Sequence, residues 1–249
     1  YYLESNGEAA IFDPLREVQP YIDRATADNA KIKYVFETHF HADFVSGHLD
    51  LTKKTGATIV YGPTAKPGFA AHVANDGEVF NVGKAQVKVI HTPGHTMEST
   101  TYLVIDEDGK EHGIITGDTL FIGDVGRPDL AQHVIADLTE DKLAGHLYDS
   151  LRNKIMPLSD DLIVYPNHGA GSACGKMMSK ETTDTLGNQK RTNYALDPKL
   201  TKEEFKKALL TGLTPPPGYF PKNVLMNIQG YESLDAVMAR GKRALNAYE

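Results

Sequence analysis

The chain has 249 residues, 41% hydrophobic and 24% charged, enough apolar mass for one large domain or a domain with an appendage. Its formal charge of -7 is spread without a long basic run, which argues against nucleic acid as a partner. No apolar stretch is long enough to span a bilayer, and the single cysteine, Cys174, leaves no intrachain disulfide, so a non-membrane protein of the reducing cytoplasm is expected.

The chain opens at Tyr1-Tyr2-Leu3 without Met, as if an N-terminal segment preceded it. Ala9 to Phe12 reads as a short strand closed by Asp13-Pro14, and Pro20 is placed to open a helix running to about Asn29. Lys33 to Thr38 reads as a strand ending on His39. Ser46 is the expected N-cap of a helix that Gly56 stops. Thr58–Tyr61, Gln86–His91, Thr100–Ile105 and Gly113–Thr116 are β-branched or apolar runs bounded by turn residues. Thr139 is expected to cap a helix to Met156, with Leu143, Leu147, Leu151 and Ile155 on one stripe. Leu162–Tyr165 is a further strand, Thr214–Pro221 a stiff extended segment, and Ser233–Ala247 a short amphipathic helix. The alternation of strands and helices makes the chain α/β.

The chemistry gathers where strands end. His39 follows Lys33–Thr38, His95 follows Gln86–His91, Asp118 follows Gly113–Thr116, and His168 follows Leu162–Tyr165. Loops at one edge of a rigid sheet are where α/β proteins assemble sites. The first of these loops, Thr38-His39-Phe40-His41-Ala42-Asp43-Phe44, carries two imidazoles and a carboxylate at alternating positions, the natural donors for a cation. Phe44 stands where one more histidine would complete a site for two metals, and it donates nothing. Mononuclear chemistry follows from that vacancy.

Taken with Thr92-Pro93-Gly94-His95-Thr96, Thr116-Gly117-Asp118-Thr119-Leu120-Phe121 and Pro166-Asn167-His168-Gly169, this loop resembles the ordered motifs of the metallo-β-lactamase superfamily over roughly residues 1–175. The resemblance implies an αββα sandwich of two mixed β-sheets with outer helices and a metal at one edge. Within the superfamily the chain is most similar to persulfide (sulfur) dioxygenases, above all the bacterial branch often fused to a rhodanese domain. The segments carrying that likeness are His39–His48, Gly123–Leu130 and His168–Gly175.

That likeness implies a single Fe(II), one per chain, on His39, His95 and Asp118. Two histidines and one carboxylate leave adjacent positions open, which suits non-haem iron that must hold O₂ and substrate together. Hydrolytic relatives such as glyoxalase II are implied to use two metals, the second on residues matching Asp43, Phe44 and His168 and bridged by the residue matching Asp118. The catalytic group implied beside the iron is His41, Asp43 and His168, with Asp43 hydrogen-bonding a ligand histidine and His168 orienting substrate or water. Candidate substrate contacts are Arg127, which pairs with a substrate carboxylate or else holds its loop through Asp129, and the small-residued loop with Gly171, Ser172 and Cys174. Cys174 is a candidate to take up sulfane sulfur or simply a small packed residue. His48 reads as structural, and His72, His91, His112, His133 and His146 carry no supporting motif.

Two units are expected: a catalytic core at 1–175 and an extension at 176–249 that packs on the core or links from it, with neither the length nor a cysteine for a rhodanese domain. Whether the chain stands alone or is cut from such a fusion stays open. The favoured reaction is oxidation of glutathione persulfide, or a similar low-molecular-weight persulfide, by O₂ to sulfite and free thiol. A functional link to a rhodanese sulfurtransferase accompanies that reading, and a homo-oligomer is compatible with it. The competing readings are a glyoxalase II-like thioester hydrolase and a non-catalytic metal-binding module.

Overall fold

The computed structural model describes residues 1–130 and 138–241. His133 and the end of the expected Ser233–Ala247 helix lie outside the described residues.

Eleven strands form two mixed sheets among the described residues. The first contains β1 (Tyr2–Ser5), β2 (Glu8–Phe12), β3 (Lys31–Phe36), β4 (Thr58–Tyr61) and β5 (His72–Val73), in that order. Its β1–β2 pair is antiparallel and the other pairs are parallel. The second holds β6 (Val79–Val82), β7 (Ala85–His91), β8 (Thr100–Ile105), β9 (Glu111–Gly117), β10 (Ile163–Pro166) and β11 (Asp184–Thr185), with only β9–β10 parallel. The period-2 alternation of side chains decides which residues meet which layer. In β2 and β3, Ala10, Phe12 and Phe36 point between the sheets, where they meet Val87, Val89, Tyr102, Val104 and Ile115 of the second sheet. Ala9, Ile11 and Val35 point outward onto α1 (Gln19–Ala27) and α2 (His48–Thr55). Leu103 and Ile114 likewise leave the inner layer and pack under α3 (Glu140–Ser150). Helix, sheet, sheet, helix is the αββα sandwich.

The expected elements form, with instructive shifts. Thr139 caps α3 by accepting from Lys142 N–H, and Leu143, Leu147, Leu151 and Ile155 are fully buried, the last two in a π-helical segment Leu151–Ile155. Gly56 ends α2 in the left-handed conformation. Ser46, however, is not a helix cap: Gly47 occupies that position, and the Ser46 hydroxyl donates instead to Glu37 Oε1 at 2.6 Å. A buried carboxyl with few other donors claims the hydroxyl before the helix can. The tail is more structured than the sequence reading expected. It contains α4 (Leu186–Thr192), α5 (Lys202–Leu210), α6 (Phe220–Gln229) and α7 (Leu234–Ala239). Leu186, Ala195, Leu196, Phe205 and Leu209 share one core with Leu103 and Ile114, so residues beyond 175 complete the outer layer of the second sheet. Pro221 does not prolong an extended run but sits in the first turn of α6, where its missing N–H costs nothing.

Candidate metal centre

β7 and β9 both run antiparallel to β8, and β10 is parallel to β9, so their C-terminal ends share one edge of the second sheet. The end of β3 is brought to the same edge, where Thr100 N–H donates to Thr38 C=O across the two layers. His39, His95 and Asp118 thereby converge, with donor atoms within 4.8 Å of one another and side chains almost wholly buried. Nε2 of His39 and of His95 lie 4.0 and 3.4 Å from Asp118 Oδ2.

Each histidine is set by the hydrogen bond its other nitrogen makes. Thr38 Oγ1 gives its own proton to Asp13 Oδ2 and so accepts from His39 Nδ1–H, at 3.0 Å. His95 Nδ1–H donates to the Arg127 carbonyl at 2.7 Å. Both Nε2 lone pairs are left facing the centre. Burial, then the charges of His41, His95 and His168, hold the His39 pKa well below its ordinary value, so the ring is neutral and able to ligate. Two glycines make the approach possible. A Cβ on Gly94, at φ +152°, would meet the Leu147 backbone at 2.4 Å; one on Gly126 would meet Asp118 O at 2.1 Å and His95 Nδ1 at 3.0 Å.

Both carboxylate oxygens of Asp118 are buried without a hydrogen-bond donor. An ionised carboxylate left so in a dry site is costly, and a cation between it and two imidazole lone pairs removes the cost. The donor set of two nitrogens and one carboxylate therefore fits a metal ion.

His41 belongs to a different cluster. Its Nε2–H donates to Asp13 Oδ1 at 2.9 Å, with Glu37 Oε2 at 3.7 Å. Burial opposes charge on this ring, but Asp13, Glu37 and Asp43 outweigh it and push the pKa up to about 10. Burial, then Asp13, drives the Glu37 pKa well above the carboxylate range. A ring so protonated has no lone pair for a metal. Asp13 is a residue sequence reading passed over. Its carboxylate accepts from Thr38 N–H and Oγ1–H, from His41 and from Asn167 Nδ2, joining the loop that carries His39 to the loop that carries His168. Its φ of +48°, rare outside glycine, marks the bend that aims it.

Asp43 and His168 lie together beside Asp118: His168 Nε2 is 3.4 Å from Asp43 Oδ2 and 3.4 Å from Asp118 Oδ1. Asp43 does not bond a ligand histidine as expected; its near contacts are His168 and, at 4.0 Å, His41. Arg127 is not turned toward a substrate either. Its guanidinium is buried and bidentate on Asp129 at 2.6 and 2.5 Å, with further bonds to the Ala173 and Thr214 carbonyls. That loop-holding role follows from the shortness of the Arg-Pro-Asp turn. Gly171 is exposed, Ser172 Oγ accepts from Cys174 N–H, and Cys174 is buried against Ala42, Phe121, Leu130 and Val224. Burial and the charges of Asp118 and Asp43 raise the thiol pKa, so Cys174 is not an activated nucleophile.

Two clefts flank the centre. One of about 420 Å³ is walled by Phe40, Met97, Leu130, Val224 and Ile228, reaches His95, and has Lys66 on its wall. The other, about 440 Å³, is lined by Asp13, Asp43, Phe44, Asn167 and His168. The floor of the loop between them is held from the tail. Asn227, 1% exposed on α6, donates to the His41 and Phe44 carbonyls and accepts from Ser46 N–H. No sequence motif marks Asn227, because its role exists only once α6 docks.

The sequence profile of the metallo-beta-lactamase superfamily matches residues 1–168. A crystal structure of a metallo-beta-lactamase from Staphylococcus aureus is similar over 91% of this chain and 67% of its own, at 33% identity and TM-score 0.83. ETHE1 from Myxococcus xanthus is similar over 92% of both chains, at 27% identity and TM-score 0.76. Among relatives by sequence, a probable hydroxyacylglutathione hydrolase of Schizosaccharomyces pombe is 28% identical over 180 residues, 71% of this chain and 65% of its own length. A cytoplasmic hydroxyacylglutathione hydrolase of Arabidopsis thaliana is 32% identical over 126 residues, 50% of this chain and 48% of its own length. The chain thus spans between about half and two thirds of these hydrolases. Among the described residues no helix is long and apolar enough to cross a membrane.

Proposed function

The chain belongs to the metallo-β-lactamase superfamily, and from that membership we propose a mononuclear non-haem iron dioxygenase that oxidises a small thiol persulfide, glutathione persulfide or a close analogue. The carrying observation is the division of the first loop: His39 joins His95 and Asp118, while His41 turns away onto Asp13 and Phe44 offers no donor. The likeness to ETHE1 supports the same reading.

His39, His95 and Asp118 would hold the iron, which supplies a redox-active centre where O₂ and a thiolate sulfur can meet. The chain's own residues supply the rest. Thr38 and the Arg127 carbonyl fix the two rings. The apolar walls of the 420 Å³ cleft exclude water along the approach to His95, and Lys66 offers a cation to a substrate carboxylate. His168, at 3.4 Å from both Asp43 and Asp118, can hold a water or a proton for the final hydrolysis. The balance is persulfide plus O₂ plus water giving thiol and sulfite with two protons: both atoms of O₂ go to the sulfane sulfur, and its bond to the thiol sulfur breaks.

The second reading, thioester hydrolysis, draws on the hydroxyacylglutathione hydrolase relatives and on the retention of Asp43 and His168 beside Asp118. One assay separates the two. With glutathione persulfide under air and no added reductant, O₂ uptake and sulfite release should be stoichiometric. Hydrolysis of S-lactoylglutathione at a comparable rate, without O₂ uptake on persulfide, would establish the hydrolase instead.

A further inference from the structure

Among the described residues, the 420 Å³ cleft that reaches His95 has a single lysine or arginine in its lining, Lys66. The other polar side chains there already have partners. Thr64 Oγ1 donates to the Met97 carbonyl at 3.1 Å, and Thr96 Oγ1 bonds Ser99 Oγ at 2.8 Å. Glu98 Oε1 accepts from Phe40 N–H at 3.0 Å, and His95 Nδ1–H is given to the Arg127 carbonyl. Lys66 makes no ion pair or hydrogen bond among the described residues. Its loop is nonetheless tied down on both sides: Thr64 bonds Met97, just beyond His95, and Gly68 N–H donates to the Ile228 carbonyl of α6 at 2.6 Å. Thr64 also adopts φ +69°, a left-handed conformation that is costly for a β-branched residue. Strain of that kind persists only where the surroundings hold it, and here they hold Lys66 between the His95 loop and α6.

We propose that this cleft selects a persulfide whose sulfur is carried on an apolar chain ending in one carboxylate, with Lys66 taking the carboxylate and Phe40, Leu130, Val224 and Ile228 the chain. The assignment rests on the persulfide reading above for the reacting sulfur, at the His95 end, and names its carrier. A pocket with apolar walls and one placed charge discriminates by what it leaves unpaired. Glutathione brings an ammonium, two carboxylates and two amides into the same space, where Lys66 and the remaining oxygen of Glu98 are the polar groups left to meet them. A polar group left unpaired against such walls costs roughly 5–150-fold in affinity. A methylene placed there instead gains about fourfold.

The probes are the S-methyl thioethers of terminal mercaptopropionate, mercaptobutanoate and mercaptohexanoate, the amide counterpart of the hexanoate, and S-methylglutathione. None is a persulfide, so calorimetry on protein loaded anaerobically with Fe(II) reads binding without turnover. Affinity should rise about fourfold per methylene, and the hexanoate should bind about fivefold tighter than its amide and tighter than S-methylglutathione. Lys66→Met should erase the preference for acid over amide and keep the gain per methylene. Val224→Thr, on the apolar wall, should do the reverse, which separates both effects from a folding defect. The proposal is overturned if S-methylglutathione binds as tightly as the hexanoate, or if Lys66→Met keeps the preference for the acid. The persulfides of the same thiols are then supplied with O₂. Oxygen uptake on none of them, with the binding order intact, would refute the dioxygenase reading and leave the assignment of the cleft standing.

Discussion

Replacing Asn227 by alanine tests whether the tail builds the metal loop or merely covers it. The side chain lies in a buried seam between α6 and the loop, where it satisfies Ser46 N–H at 2.9 Å and the His41 and Phe44 carbonyls at 2.8 Å each. Alanine leaves one donor and two acceptors unpaired. Each such group costs about 1–3 kcal/mol, and a water entering the vacated space recovers part, so the loss should be roughly 3–6 kcal/mol. That is a large share of the ~5–15 kcal/mol that stabilises a typical domain. Asn223→Ala is the internal control: it removes one bond, from the half-buried Asn223 amide to the Ala42 carbonyl at 2.9 Å, and should cost about 1 kcal/mol. Urea unfolding of both variants, with the slope checked for constancy, gives the difference, and bound iron per folded chain gives its effect on the centre. Asn227→Ala should also retain less iron, because the loop it anchors carries His39. The reasoning fails if Asn227→Ala stays within about 1 kcal/mol of the parent, or is no worse than Asn223→Ala.

Ligand and outer positions should separate cleanly. His39→Ala, His95→Ala and Asp118→Ala should lose most iron, while His41→Ala, Asp43→Ala and His168→Ala keep most of it and turn over about 10–100-fold more slowly; iron loss in His41→Ala equal to that in His39→Ala would refute the ligand assignment. His48 should shape acid stability. Burial, then the charge of His41, lowers its pKa from 6.5 to about 3. The unfolded chain therefore takes up a proton that the folded chain refuses, so this contribution is complete above pH 6.5 and is lost as pH falls toward 3. About 2 kcal/mol should be gone by pH 5. His48→Gln should flatten that limb of Tm against pH, and an unchanged limb would show that other groups set it.

The strand ends were legible because ligand chemistry and β-periodicity occupy the same few residues. His39, His95, Asp118 and His168 each stand just past an apolar run, and no packing detail is needed to see it. What stayed hidden depends on partners distant in sequence. Whether His41 ligates or turns away is decided by Asp13, 28 residues upstream. Ser46 looked like a helix cap because nothing local reveals that Glu37 is buried beneath it. Arg127 left two roles open, a substrate carboxylate or its own loop through Asp129, and the fold takes the second. The helix from Ser233 was legible as an amphipathic stretch, but the earlier tail helices were obscured by composition: the proline run masks the start of α6. The capping box from Thr201 to Glu204, which opens α5, was there to be read.

The three candidate ligands come from both halves of the sandwich, His39 from the end of the first sheet and His95 and Asp118 from the second. A cation held there is a rivet between layers as well as a reagent. It binds only when both sheets are in place, so by mass action a free concentration 100 times its dissociation constant adds about 2.7 kcal/mol to the folded state. The stability of the folded chain should then rise with the free concentration of the metal.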